Sequence, residues 1–523
     1  MNRNNLVDQI QQTDLWDVII IGGGASGMGA AVDAAGRGYR TLLLEQVDFA
    51  KGTSSRSTKL VHGGVRYLQQ GNISLVREAL YERGLLYQNA PHLVTDLPFI
   101  VPRYSWWEGP FYGVGLKLYD LLAGRLNLAP SRTLNAEQTL QAIPNLEPDG
   151  LYGGTEYHDG QFDDSRMCLT LARTAADLGC VPLNHARVIR LIRDSQDHVA
   201  GVCFHDAETG KEHEAMGKVV VNATGVFSDS VRRMDEAQAA PIIEPSRGVH
   251  LVLDRSFLKG DTAIMVPYTD DDRVLFVIPW HDHCLAGTTD EKTPHPQLEP
   301  RATKEEVEFI LRNAARYMAR DPKRSDVLSV FAGLRPLIKQ DATATKNISR
   351  EHEVIVSRGG LVSVVGGKWT TYRHMAEDVM NHAADVGGLE RRNCITENLR
   401  LRGWLDRGDI NMPKENWLRV YGADAVEVTA VCDSIDGGHE RLHANLPYLR
   451  GAVVYAVRFE YARTVEDVLA RRTRALLLDA EAAAECAADV AALMARELQQ
   501  DDRWIADQSR QFRELASGYR LVD

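Results

Sequence analysis

No cysteine in this 523-residue chain belongs to a CxxC pair: Cys168, Cys180, Cys203, Cys284, Cys394, Cys432 and Cys486 are scattered. Neither a zinc site nor a disulfide framework is indicated, no metal is expected, and a reducing cytoplasm is the default compartment. Basic charge is also short, with a net charge of -12 and a pI near 5.8. That disfavours a nucleic-acid partner, which needs a basic surface. Nowhere is there a run of about 20 apolar residues, and the opening MNRNNLVDQIQQTDLW lacks the apolar centre of a signal peptide. Any membrane contact is therefore expected to be peripheral. The length exceeds one modest core and suggests two or three domains.

The most informative stretch runs from Trp16 to Glu45. The apolar residues Val18 to Ile21 enter a glycine cluster in which Gly22, Gly24 and Gly27 fit G-x-G-x-x-G, and alanine-rich helical sequence follows. A second apolar strand, Thr41 to Leu44, ends in Glu45, where a βαβ unit sets an acid on an adenosine ribose. Glycines admit a close approach of backbone to a pyrophosphate, and the helix N-terminus supplies partial positive charge. The acid favours a free 2′-hydroxyl over a 2′-phosphate. The motif alone does not choose between NAD and FAD.

Asp48 to Gln70 is rich in Gly, Ser and Thr yet carries Arg56, Lys59, His62, Arg66 and Tyr67. A loop leaving the second strand sits at the carboxyl edge of the sheet, where ligands bind. Thr53, Ser54 and Ser55 can donate to phosphate or ribityl oxygens there, and the hydroxyls can cap a helix starting near Ser74. His62 and Arg66, four apart, share a face if this part is helical. Further on, VNATG supplies Ala223, Thr224 and Gly225 after a buried strand, and SVVGGKWTTYR repeats the strand, glycine pair, helix design with Gly366, Gly367, Lys368 and Thr370. Arg335 lies among apolar neighbours in FAGLRPL, so its charge requires an anion, either a protein carboxylate or a substrate phosphate.

The pattern TSSRSTKLVHGGVRYLQQGNISLVREAL, continued by LYGGTEYHDGQFDDSRM, VNATG, FVIPW with GTTD, GLRPL, SVVGGKWTTYR and VVYAVRFEYARTVEDVLARRTR, resembles the FAD-dependent glycerol-3-phosphate dehydrogenases. These are respiratory enzymes of the D-amino-acid-oxidase-like flavoprotein class. The resemblance implies an α/β (α+β) fold: a Rossmann-like FAD-binding domain, an antiparallel-sheet substrate domain and a C-terminal helical cap domain. The expected segments are 14–75, 166–235 and 346–390 for FAD binding, 76–165 for a mixed substrate and cap segment, 236–345 for the antiparallel sheet and 400–523 for the helices.

The expected cofactor is FAD, held by Gly22, Gly24, Gly27, Glu45, Thr53, Ser54, Ser55, Ala223, Thr224, Gly225, Gly366, Gly367, Lys368 and Thr370. The catalytic candidates are His62, His250 and Arg335; His250, at the head of a strand, is either a satisfied core imidazole or, as the resemblance implies, the group nearest the substrate carbon. Arg66, Tyr67, Arg335, Arg350 and Lys368 are the substrate-binding candidates. The expected reaction is oxidation of glycerol 3-phosphate to dihydroxyacetone phosphate with electrons passed to ubiquinone, the alternatives being an oxygen-using glycerol-3-phosphate oxidase or another flavin-dependent oxidase of the same class. The enzyme is expected on the cytoplasmic face of the inner membrane, and a homodimer is compatible with the sequence. Asp164 reads as the N-cap of a helix over Met167 to Leu178, the arginines of TVEDVLARRTR as a solvated face, and the aromatics from Trp106 and Trp107 to Tyr119 either as core or as a bilayer patch.

Overall fold

A computed structural model describes residues 3–69, 71–105, 108–271, 273–339 and 352–521. Among these described residues, two sheets organise the fold. The first has eight strands, and its centre is parallel: Trp16–Ile21 lies between Thr41–Leu44 and Glu212–Asn222, with Val181–Leu183 outside the former and Val362–Gly366 outside the latter. Strands buried on both faces need continuous apolar runs rather than alternation, and VIII, TLLL and VVV supply them. The helix Ala25–Gly36 covers this sheet with a surface of alanines and glycines. A Cβ on Gly29 would stand 2.8 Å from the Tyr372 ring, so the small residue sets how closely this helix meets Tyr372–Val386. The first sheet is thus the Rossmann-like half, and the strand limits at Thr41 and Leu44 match expectation.

The second sheet has ten strands and is largely antiparallel. Ile243–Asp254 pairs along its length with Val327–Ile338, His250 facing Phe331 and Ser246 facing Arg335. His250 therefore lies within a strand, not at its head, because the pairing begins at Ile243, upstream of the apolar run that marked the strand in the sequence. The short strand Leu60–Val61, which follows the hydroxyl-rich loop, pairs with Gly153–Phe162. The chain thus leaves the first sheet at Leu44 and enters the second at Leu60, and the cavity forms at that crossing.

After residue 400 the chain is helical, with Arg450–Phe459, Ala487–Leu498 and Asp502–Ser517 as its longer elements. Their apolar faces share one core with Phe99, Tyr157, Trp280 and Phe331 of the second sheet. The arginines of TVEDVLARRTR correct the expectation of a solvated face: Arg471 and Arg472 are 2% exposed and Arg474 is 1% exposed. Arg471 and Arg472 converge on the buried carboxylate of Asp48, Arg471 also reaches Asp467 at 2.7 Å, and Arg474 reaches Asp164 at 3.0 Å. Carboxylates distant in sequence make such burial tolerable, and removing one partner from a buried pair of this kind costs about 3–5 kcal/mol. Nearby, Arg166 grips Glu460 through two bonds of 2.8 and 2.6 Å.

Candidate active site

The first lobe of the site grows from the glycine turn. Gly22 has φ +111°, and a Cβ there would lie 2.7 Å from the Ala223 carbonyl; one on Gly27 would lie 1.9 Å from the Gly22 carbonyl. Both glycines are demanded by the chain itself. Gly24 differs: its φ is -87°, and a Cβ would meet only Ser54 Oγ, at 3.0 Å. Ser54 Oγ accepts from the Ala25 amide at 2.9 Å, at the start of the helix. Glu45 is half-buried, accepts from the amides of Gly23 at 2.7 Å and Val47 at 3.0 Å, and has its pKa raised by desolvation. A cavity of about 400 Å³ opens over this turn, walled by Gly22, Gly24, Glu45, Thr53, Ser54 and the Ala223–Thr224–Gly225 turn, with Gly366, Gly367 and Lys368 at its far end.

A second cavity of about 300 Å³ shares Thr53, Pro336 and the Gly366–Trp369 segment with the first. Its wall brings together His62, Tyr67, His250, Arg335, Lys368 and Thr370. The connected lobes, with a glycine cradle midway and cations at one end, suit an extended dinucleotide with a small anion beside it. Ser55 is not brought in: it is buried behind the loop, and its carbonyl accepts from Lys59 Nζ at 2.8 Å and Arg474 at 2.7 Å. The Arg66 side chain, Arg350 and the tryptophans Trp106 and Trp107 lie outside the described residues. The helix after the loop begins at Val65, so His62 precedes it and does not share a helical face with Arg66. The following helix is capped by Asn72, whose side-chain Oδ1 accepts from the Leu75 amide, rather than by a hydroxyl.

Arg335 finds a protein carboxylate, the first of the two anions its position allows. Its Nη1 lies 3.1 Å from Asp290, while Nη2 donates to Thr288 Oγ1 at 3.1 Å and the Thr289 carbonyl at 3.0 Å. Ser246 donates to the same Asp290. Gly248 makes room for this guanidinium, since a Cβ there would stand 2.5 Å from Nη2. Lys368 Nζ sits 3.9 Å from the centre of the Tyr67 ring, a favourable place for a cation. His250 is 2% exposed, stacks on Phe331 with centroids 4.9 Å apart, and is held well below the usual imidazole pKa by burial, then by Lys59 and Arg335. It is neutral at neutral pH.

Sequence reasoning missed the supports of this wall. Asp163, not Asp164, caps the helix Asp164–Asp177, accepting from Ser165 and Arg166. Asp164 turns instead to Lys59 at 2.8 Å. Burial pushes the Lys59 ammonium down to about 8 against the opposing pull of Asp164. Arg56 pairs with Glu299 at 2.7 Å; burial alone would raise the Glu299 carboxyl, but Arg56 and Lys51 hold it at about 2. Thr58, whose Oγ1 lies 2.9 Å from His250 Nε2, was also missed. The only sequence signal for these contacts was charge inside a small-residue loop.

Comparison with known proteins agrees with this construction. A family model described as FAD dependent oxidoreductase matches residues 17–373, and one described as the C-terminal domain of alpha-glycerophosphate oxidase matches residues 363–504. The chain is 40% identical to the mitochondrial glycerol-3-phosphate dehydrogenase of Homo sapiens, over 98% of this chain and 75% of that protein. It is 41% identical to the probable mitochondrial glycerol-3-phosphate dehydrogenase of Caenorhabditis elegans, over 95% and 72%. The solved structure of glycerol-3-phosphate dehydrogenase from Bacillus halodurans complexed with FAD superposes with a TM-score of 0.81 at 31% identity, covering 100% of this chain and 99% of that one.

Proposed function

Because this chain belongs to the FAD-dependent glycerol-3-phosphate dehydrogenase family, we propose that it oxidises sn-glycerol 3-phosphate to dihydroxyacetone phosphate by hydride transfer and hands the electrons to ubiquinone at a membrane surface. The observation that carries this reading is the continuity of the glycine-cradled lobe with a cavity bearing Arg335, Lys368 and His250. Gly22, Gly24, Gly27 and the 223–225 turn would hold the diphosphate, Glu45 would face the ribose end, and Thr53, Ser54, Gly366, Gly367 and Thr370 would line the path to the ring. When bound, FAD supplies the two-electron acceptor for the hydrogen on C2.

The protein's part is binding, orientation and proton handling. Arg335 and Lys368 would draw in the phosphate with Tyr67 beside them, and Arg66 and Arg350 join them on resemblance. Lys368 also sets a full positive charge beside the shared segment where negative charge develops during transfer. His250, neutral and fixed by stacking, would take the proton of the C2 hydroxyl, and His62, edge-on to Phe276, would close the opposite wall.

The membrane part of the reading rests on the helix Glu108–Ala123. Among the described residues no helix is long and apolar enough to cross a membrane. In this helix Tyr112, Leu116, Tyr119 and Ala123 are core, whereas Val114, Leu118 and Leu121 are exposed, at 73%, 39% and 76%. Their spacing of four and three puts them on one face, an apolar stripe suited to lying on a bilayer. The aromatics Tyr112 and Tyr119 are thus packing, and the aliphatic side chains supply the exposed surface. Tyr119 reaches back from the same helix: its hydroxyl accepts from Gly63 at 2.8 Å, beside the cavity loop. A stripe so close to the cavity favours an acceptor that arrives through lipid, and the cytoplasmic leaflet fits the seven free thiols.

Stopped-flow reoxidation of the substrate-reduced holoenzyme separates quinone from oxygen. Rapid reoxidation by a short-chain ubiquinone and slow reoxidation by dissolved oxygen is expected. The opposite ranking would make the protein an oxidase.

A further inference from the structure

The imidazole that would accept the substrate proton lines the cavity but is only 2% exposed. His250 is enclosed: Phe331 stacks on one face, and Gly287 lies so close to the ring edge that a Cβ there would stand 2.4 Å from Cδ2. Its Nδ1 is buried with no hydrogen-bond partner among the described residues. Its other nitrogen, Nε2, is already engaged by Thr58 Oγ1 at 2.9 Å. Thr58 is half-buried and lines the same cavity as Arg335 and Lys368. A hydroxyl donates and accepts at once, so a group in the cavity can reach His250 through Thr58.

Thr58 is held firmly for such a task. The next residue, Lys59, is in the left-handed region at φ +65° and is fully buried. Its ammonium is fixed by the Ser55 carbonyl and Asp164, each at 2.8 Å, and lies 5.0 Å from the Phe331 ring centre, the same ring that carries His250. Relay hydroxyl and imidazole thus share one anchored support.

We propose that Thr58 is the proton relay between the substrate's C2 hydroxyl and His250, an inference that rests on the alcohol-oxidising reading of the site. As the substrate O–H bond breaks, its proton binds Thr58 Oγ1 while the proton of Thr58 passes to His250 Nε2. The C2–H electron pair would leave as hydride, for which FAD held in the glycine-lined lobe would be the acceptor, and the C2–O bond would become a carbonyl. Every proton and electron pair is accounted for without a further reactant.

Three holoenzyme variants test the relay: Thr58→Ser, Thr58→Ala and Thr58→Val. The measurements are FAD content, melting temperature, the Kd of dihydroxyacetone phosphate read from the flavin band, and the anaerobic rate of flavin reduction by glycerol 3-phosphate. Val is expected to reduce its flavin about 100-fold more slowly than wild type, the low end for a lost proton-transfer group, with FAD content and product Kd nearly unchanged. Ser should restore most of the rate. Ala should be faster than Val, because a water can occupy the space left by the side chain and relay in its place, whereas the melting temperatures should rank Val above Ala. A Val variant as fast as wild type, or rates that follow the melting temperatures with Val above Ala, would overturn the relay alone. A wild-type flavin that glycerol 3-phosphate does not bleach would overturn the functional reading, and the relay with it.

Discussion

Gly24→Val is expected to give a folded protein that purifies without its yellow colour. The three glycines of the motif are not equivalent. Gly22 and Gly27 face backbone atoms at 2.7 and 1.9 Å from a built Cβ, so a side chain at either displaces the chain itself. Gly24 adopts a backbone conformation open to any residue, and its Cβ would touch only the hydroxyl of Ser54. A valine there keeps the turn but fills the cavity over it, where a diphosphate has to pass. Overpacking of this kind costs about 1–3 kcal/mol, which at ~1.4 kcal/mol per tenfold lowers FAD affinity by about one to two orders of magnitude. Flavin released on denaturation, measured per mole of protein, checks occupancy, and the melting curve of the apoprotein checks the fold. Stoichiometric FAD in the variant would sink the assignment of this lobe to the cofactor.

Arg335→Ala should keep its flavin and lose most of its turnover, with a cost in kcat/KM of about 2–5 kcal/mol for removing a charge from a largely desolvated pair. The effect has two sources. The guanidinium no longer meets the phosphate, and Asp290, which it held at 3.1 Å, turns its negative charge toward the cavity and repels what Arg335 attracted. Arg335→Lys should recover part of the loss by restoring charge without the fork that reaches Thr288 and Asp290 together. Unphosphorylated glycerol is the control. If wild type and Arg335→Ala oxidise glycerol equally poorly, the arginine reads phosphate. Equal use of glycerol and glycerol 3-phosphate by wild type would mean that the cavity does not bind phosphate at all.

The contrast between legible and illegible parts follows from range. The βαβ unit could be read directly because strand, turn, helix and acid are neighbours in sequence and each has one physical duty: Val18 to Ile21 is an apolar run, Gly22 accommodates a positive φ, and Glu45 ends the next strand. The antiparallel second sheet came from the resemblance, and His250, set at the head of a strand in the sequence, lies inside one whose pairing begins at Ile243. The buried ion pairs were not legible. Arg472 meets Asp48 across 424 positions and Arg474 meets Asp164 across 310, and locally VEDVLARRTR has the same charge spacing as a solvated helix. The choice between Asp163 and Asp164 as helix cap turns on a single residue, below the resolution of pattern reasoning. Thr58 was hidden for another reason: one hydroxyl among the five serines and threonines from Thr53 to Thr58 is singled out only when the fold brings a histidine 192 positions away into contact with it.

The most direct test of the account is anaerobic titration of the purified holoenzyme with sn-glycerol 3-phosphate, following the flavin absorbance and the dihydroxyacetone phosphate formed. The account predicts that the flavin bleaches and that one dihydroxyacetone phosphate appears per flavin reduced, the balance of a two-electron transfer. A flavin that dithionite bleaches but glycerol 3-phosphate leaves oxidised would contradict it.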